Sequence, residues 1–427
     1  MNTASIVVII VNILLAVVLA VGLTPVFVWW ERRIAGFIQD RSGPNRCHIG
    51  PMRLGGLIQS LADMLKLVFK EDFTPGHIKY KFMFTIAPSI VFVCYFLTFA
   101  VIPFADNVVI DGQSHAMQAL PMQLGVMWFL AYAGLSVYGI ILGGYASGSK
   151  YGLLGAIRAS AQVISYEASM ALALISMLLT YGSIHLNEIV HFQGGTFWEI
   201  IPSWGAFMQP LAAIIFIVCA FAETNRTPFD IAEGESEIVA GYHTEYSAMR
   251  FGLFQVSEFA AMAGASAIIV TLFFGGYQIP WLDTQTLKAN IDIVIIVLMA
   301  LLPIKIYIFT KWIKKNNNWA DKNDSRSKET GILVKAFWTI GIVSFIALGA
   351  LLATGLGENG SSIAVAVIQV VTFLVKFLMM VFVFMWVRWT LLRFRYDQLQ
   401  MLGWKILLPL SLLNIVITAS VIVLTGM

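Results

Sequence analysis

Charge is what this sequence has least of. Asp, Glu, Lys and Arg make up 12% of 427 residues, against 59% hydrophobic residues and a mean hydropathy of +0.81. No water-soluble core of this size needs so much apolar surface, so soluble domains are excluded and a helical membrane protein is expected, with no nucleic-acid partner. Cysteine is nearly absent too. Cys47, Cys94 and Cys219 lie far apart with no C-x-x-C spacing, which excludes a disulfide framework and argues against an iron–sulfur or zinc site. Cys47-His48 is an adjacent pair without further ligands, so no metal is expected there. Any redox cofactor must then be borrowed or diffusible. The N-terminus lacks a basic leader and a small-residue cleavage site, and its apolar run should remain as the first span. No internal repeat is evident, which counts against an autonomous secondary transporter.

What is present is a series of apolar runs, at about 6–30, 82–105, 121–145, 161–183, 208–224, 251–275, 291–311, 333–356, 364–390 and 405–425. The expected fold is all-α: a polytopic transmembrane protein of about ten spans. The loops alternate in charge. Loop 31–81 holds nine Lys and Arg residues and loop 311–335 holds seven, while 106–120, 184–207 and 357–363 hold none. By the positive-inside rule the charged loops are cytoplasmic and both termini lie on the periplasmic side. In the first of these loops, Leu54, Leu57, Ile58, Leu61, Met64, Leu65 and Val68 repeat at helical spacing, with Gln59, Asp63, Lys66 and Lys70 on the other side. This predicts an amphipathic helix over 54–69 lying flat in the interface, either as a plain connector or as one wall of an opening for a lipid-soluble substrate.

The scarce acids are concentrated. Glu223, Asp230, Glu233, Glu235, Glu237 and Glu245 fall within 23 residues between two apolar runs. Thr227-Pro-Phe-Asp230 reads as a helix start, with Thr227 as cap and Pro228 at the first helical position. Solvated cytoplasmic carboxylates are one reading. The apolar matrix of Phe229, Ile231, Ile238, Val239, Tyr242 and Tyr246 supports another, buried acids that share protons. Glu167 and Glu258 stand inside or at the edge of spans, where a central charge costs roughly 2.5–3.5 kcal/mol, so each is a functional candidate. The structural alternative pairs Arg158 with Glu167 and Arg250 with Glu258. Lys305, near a helix end, can snorkel; Lys376 is deeper and harder to dismiss in that way.

Several motifs in one order carry a resemblance. They are Glu31-Arg-Arg33, Gly43-Pro-Asn-Arg46, Gln59-Ser-Leu-Ala-Asp63, Lys150-Tyr-Gly-Leu-Leu-Gly-Ala-Ile-Arg158, Ser160-Ala-Gln-Val-Ile-Ser-Tyr-Glu167, Ala222-Glu-Thr-Asn-Arg-Thr-Pro-Phe-Asp230, Glu233-Gly-Glu-Ser-Glu237 and Arg395-Tyr-Asp-Gln398. Together they resemble the H-type membrane subunit of bacterial respiratory complex I, the proton-translocating NADH-quinone oxidoreductase. The likeness covers about 31–276 and 365–425.

The resemblance implies a subunit without a complete active site of its own, set in the cell inner membrane. Quinone would be a diffusible substrate, with FMN and iron–sulfur clusters on partner subunits. The partners would be the peripheral iron–sulfur arm, the adjacent small and antiporter-like membrane subunits, and lipid. Arg32, Arg41, Asp63, Phe229, Glu233, Glu235 and Glu237 would line the quinone chamber. Glu167, Glu223, Asp230, Glu245 and Glu258 would begin the proton path, supported by Arg158, Arg226 and Arg250. Related subunits also serve membrane-bound hydrogenases and complexes with other electron donors, which is the nearest alternative. The chain departs from the family pattern at the lengthened stretch around Cys47-His48-Ile49 and Gly55-Gly56, and at Leu392, where the family usually has Pro. The division implied is a core over 1–276, an inserted helix pair with a basic loop over 284–362, and the last two core spans over 363–427.

Overall fold

Long apolar runs leave the backbone one way to satisfy its polar groups in lipid, which is to close every hydrogen bond inside a helix. The computed structural model describes residues 3–50, 52–197, 201–232, 239–316, 325–355 and 357–425. Along the chain, α1 is Thr3–Ile38 with a π-helical turn at Val18–Gly22. The amphipathic helix α2 (Leu57–Phe69) follows, then α3 (Lys81–Val101), α4 (Gly125–Ala146), α5 (Lys150–Tyr181) and the short α6 (Leu186–Phe192). After them come α7 (Pro210–Glu223), α8 (Ala248–Phe273), α9 (Ile291–Asn316), α10 (Ser325–Thr354), α11 (Glu358–Thr390) and α12 (Tyr396–Thr425). Two small antiparallel ribbons, Val108–Ile110 with Gln113–His115 and Thr196–Phe197 with Ile201–Pro202, are the strands among the described residues.

Nine of these helices are long and apolar enough to cross a membrane among the described residues. The tenth expected span differs: α7 has 14 residues, roughly 21 Å of helix, short of a hydrocarbon core of about 30 Å. Pro210 starts it, and its other end gives way to the loop after Glu223. Helix α5 also departs from expectation by starting at Lys150 rather than near 161, because Lys150 and Arg158 extend a helix beyond the apolar run instead of ending it. Glu167 therefore lies about five turns in, not at a helix start. The amphipathic helix begins at Leu57 rather than Leu54. Gly56, in the left-handed region at φ 96°, separates it from a 3₁₀ turn over Leu54–Gly56.

The helix start expected at Thr227 is absent. Residues 227–230 turn instead: the Phe229 amide donates to the Arg226 carbonyl at 2.8 Å, and the Pro228 carbonyl accepts from Phe394 at 3.0 Å. That tertiary bond uses the acceptor a first helical turn would need.

Helix α8 is the centre of the molecule, with 89% of its most apolar window buried, and α3, α11, α7, α1 and α2 lie against it. Helix α10 is at the other extreme, with 6% buried, and α9 and α10 pack mainly on each other. Close approach elsewhere depends on glycine. A Cβ at Gly139 would meet Val91 Cγ2 at 2.4 Å, and one at Gly144 would meet Ala156 Cβ at 2.3 Å, so α4 lies tight against α3 and α5.

Candidate functional site

Two of the expected acids lie on neighbouring helices and within electrostatic reach of each other. Glu223, the last residue of α7, is 5% exposed, and Glu167 lies on α5. The Oε1 atom of each is buried without a hydrogen-bond partner among the described residues, and Glu167 forms no ion pair there. Two carboxyl groups that close, in an apolar matrix, cannot both hold a charge cheaply. Glu167 also borders a groove of about 500 Å³ lined by Leu130, Gly134, Tyr138 and Ile164 on the flank of α4 and α5. On α8, Glu258 accepts the Tyr242 hydroxyl at 3.2 Å.

Residues 224–232 are held onto this region by side chains from elsewhere in the chain. Gln162 of α5 donates to the Ala222 carbonyl at 2.6 Å and to the Phe229 carbonyl at 2.8 Å. Phe229 sits between Tyr166 and Phe394, with ring centroids 5.6 and 5.4 Å away, and Asp230 is on the turn beside it. Arg226 is buried against the Phe259 ring and donates to Glu31 Oε2 at 2.7 Å. The expected chamber residues Glu233, Glu235 and Glu237 lie outside the described residues.

A second cluster opens at the basic side of the protein. Glu31, buried on α1, takes Arg226 on one oxygen and Arg388 of α11 on the other, each at 2.7 Å. Next to it in the chain, Arg32 pairs with Asp63 of α2, whose other oxygen accepts Gln59 at 3.1 Å. Together α1, α2 and α8 bound a groove of about 280 Å³, lined by Val28, Glu31, Asp63, Leu67, Phe259 and Arg388 among others. Its walls are apolar with charged groups at one edge, the arrangement that suits an amphipathic ligand with a polar head. Along α2, Leu61, Leu65 and Val68 remain exposed, an apolar strip available to lipid or a partner.

The other expected residues are placed differently. Arg250 pairs with Asp72 at 3.1 Å and bonds Thr74, while its expected partner Glu258 takes the Tyr242 hydroxyl. Arg158 stacks over Tyr396 rather than pairing with Glu167. Glu245 faces His77 at 3.9 Å at the edge of the loop. Arg41 is exposed on its turn, bonded to Gln39 and away from the groove. Glu31 and Arg388 line this groove, and sequence reasoning left both without a role. Each stands among other charges, where an acid or a base draws no notice.

Comparison with known proteins matches this architecture to one family. A profile described as NADH dehydrogenase matches residues 10–316 and 330–419. A Flavobacterium psychrophilum protein, named as the H subunit of NADH-quinone oxidoreductase, is 38% identical over 396 residues, covering 93% of this chain and 91% of its own length. The protein of the same name from Salinibacter ruber is 39% identical over 401 residues, with 93% and 91% covered. The NADH-quinone oxidoreductase subunit 8 of Rhodothermus marinus is 38% identical over 394 residues, with 92% and 91% covered. With near-full coverage on both sides, the chain belongs to the NADH dehydrogenase membrane-subunit family, together with these named subunits of NADH-quinone oxidoreductase.

Proposed function

We propose that this chain is the membrane subunit of a proton-translocating NADH-quinone oxidoreductase in which the quinone chamber meets the start of the proton path. The observation that carries this is the groove between α1, α2 and α8, edged by Glu31, Arg32, Asp63 and Arg388, together with the buried Glu223 and the half-buried Glu167 in the same bundle. Quinone enters from the lipid through the groove. NADH oxidation and electron transfer take place on partner subunits that carry FMN and iron–sulfur clusters. A neutral quinone that takes two electrons also takes two protons, and that charge change alters the protonation of Asp230, Glu223 and Glu167. Paired acids in a low-dielectric matrix respond strongly to such a change. The groove beside Glu167 faces outward, toward where an adjoining membrane subunit would take the proton on. Glu245 and Glu258 belong to the same path, with Glu233, Glu235 and Glu237 on its quinone side. The basic loops lie in the cytoplasm and both termini outside it, a topology in which the 14-residue α7 makes the tenth crossing.

The test is affinity purification of the tagged chain from its native membrane in mild detergent, with mass spectrometry and activity assays. Flavin and iron–sulfur subunits with NADH-quinone reductase activity are expected; co-purifying hydrogenase subunits would transfer the function to that assembly. Glu167→Gln and Glu223→Gln are each expected to assemble but to lose most quinone-linked proton pumping. Normal turnover with a normal proton gradient in both would remove the relay.

A further inference from the structure

The α9–α10 pair and the stretch 47–56, both singled out in the sequence, touch each other. Glu329, in the second turn of α10, is 5% exposed although its helix is the least buried of the spans. Its Oε1 accepts two backbone amides from the lengthened stretch, Arg53 N–H at 3.1 Å and Gly55 N–H at 3.2 Å. The other face of Gly55 is held equally firmly. Its carbonyl accepts the Trp29 indole at 3.0 Å and Arg33 Nη2 at 2.6 Å, both from α1. Arg33 also reaches the Ser42 carbonyl, and its guanidinium feels the Glu329 charge. Only glycine fits at position 56, since a Cβ there would stand 1.9 Å from the Pro44 carbonyl oxygen, so the chain runs tight against Pro44.

The residues on either side of this node belong to the groove. Trp29 and Arg33 flank Glu31 and Arg32, and α2, which carries Ser60 and Asp63, begins directly after Gly56. A carboxylate that accepts two amides is a strong, directional holder, and it lies across 276 residues of sequence. We propose that Glu329 is a positioning residue: through the backbone of Gly55, held by its N–H on one side and its carbonyl on the other, it locks α2 against α1 and so sets the width of the quinone opening. The proposal rests on the reading of the groove as the quinone chamber. The exposed helix pair is then a brace for the mouth, whatever else it binds.

The experiment uses the assembled complex carrying Glu329→Ala, Glu329→Gln or Trp29→Phe. It measures kcat and KM with a short-tailed quinone, and amide hydrogen exchange over residues 52–58. Glu329→Ala should raise KM about three- to tenfold with kcat within about twofold, and should speed exchange at Arg53 and Gly55. Glu329→Gln, whose amide oxygen still accepts both N–H groups, should stay near the parent. Trp29→Phe removes the indole donor from the carbonyl of the same residue, Gly55, and should raise KM in the same direction, which keeps the test open if Glu329→Ala fails to assemble. Exchange unchanged in every variant would overturn the brace. Activity that falls only in step with the amount of complex, at constant KM, would overturn it as well. Faster exchange in a complex whose parent form has no quinone activity would leave the brace standing and remove the chamber reading instead.

Discussion

Glu31 holds one negative charge between two guanidinium groups in a buried site. Replacing it by Gln keeps the shape but leaves Arg226, which is 3% exposed, without a counter-charge. Breaking a buried pair in this way costs about 3–5 kcal/mol. Glu31→Gln should therefore lower the thermal midpoint of the assembled complex and reduce its yield; an unchanged midpoint would mean that Arg226 finds another anion. At Glu167 the constraint is spatial. A Cβ at Gly134 would lie 2.7 Å from Glu167 Oε1, and since that atom is the end of a flexible side chain, Gly134→Ala should fold, shift the carboxylate and cut proton pumping more than assembly. Equal pumping in the variant would show that the carboxylate has room to spare. These residues differ in how far the sequence exposes them. Glu167 and Glu223 stand out because a charge inside an apolar run is costly. Glu31 and Glu329 sit among other charges, and their partners are 195 and 276 residues away, a separation no local pattern reports.

At the scale of elements, Lys376 answers a question the apolar run around it raises. Its ammonium donates to the carbonyls of Phe274, Gly276 and Gln278 at 2.8, 3.1 and 2.6 Å and lies over the Trp204 ring. All three of its protons are used on the chain that leaves α8, where helix carbonyls run out of partners and the dipole is negative. Lys376→Met should speed amide exchange over 274–282 and destabilise the complex by about 1–3 kcal/mol, since buried carbonyls lose their donor. No change in exchange there would refute the cap. On the face opposite the basic loops, Asp106 and His191 form a 2.9 Å pair that ties the segment after α3 to α6. Burial raises the Asp106 carboxyl, but the hydrogen bond and charge of His191, with hydrogen bonds from the Asn107 amide and Thr284, together outweigh it and hold the group below its usual range; His191 is raised chiefly by its bond to Asp106. Asp106 therefore contributes stability above its unfolded value of about 3.9, lost as pH falls through its lowered one. His191 contributes stability below about 6.5, lost as pH rises through its raised one. Protection of 186–192 from exchange should be greatest between these limits and fall as pH climbs past neutrality; His191→Ala should flatten that dependence. The sequence shows which segments are helical because apolar length is a strong signal. Helix ends are weaker signals: α5 runs 11 residues further back than its apolar core, since charged residues on a protruding turn are as helical as any other.

At the scale of the molecule, the question is what α9 and α10 add to the bundle. They pack on each other and present most of their surface outward, yet they are connected to it at both ends. On one face Glu329 reaches the mouth of the groove. On the other, Thr284, just before α9, accepts Gln278 and Gln369 at 3.0 Å each and also bonds Asp106. A deletion that tests the pair must spare that second connection, so it should remove 291–354 and rejoin Asn290 to Gly355 with a flexible linker. Were the pair only a platform for lipid or an accessory subunit, the shortened chain would assemble, lose that partner and turn over quinone with the parent KM. If it also braces the mouth, the same complex should show the raised KM and the faster exchange at Gly55 that Glu329→Ala produces, and adding Trp29→Phe should raise KM little further because both hold the backbone of one residue, Gly55. Full additivity of the two changes would separate the helix pair from the mouth. Assembly and activity wholly unchanged by the deletion would leave α9 and α10 without either role.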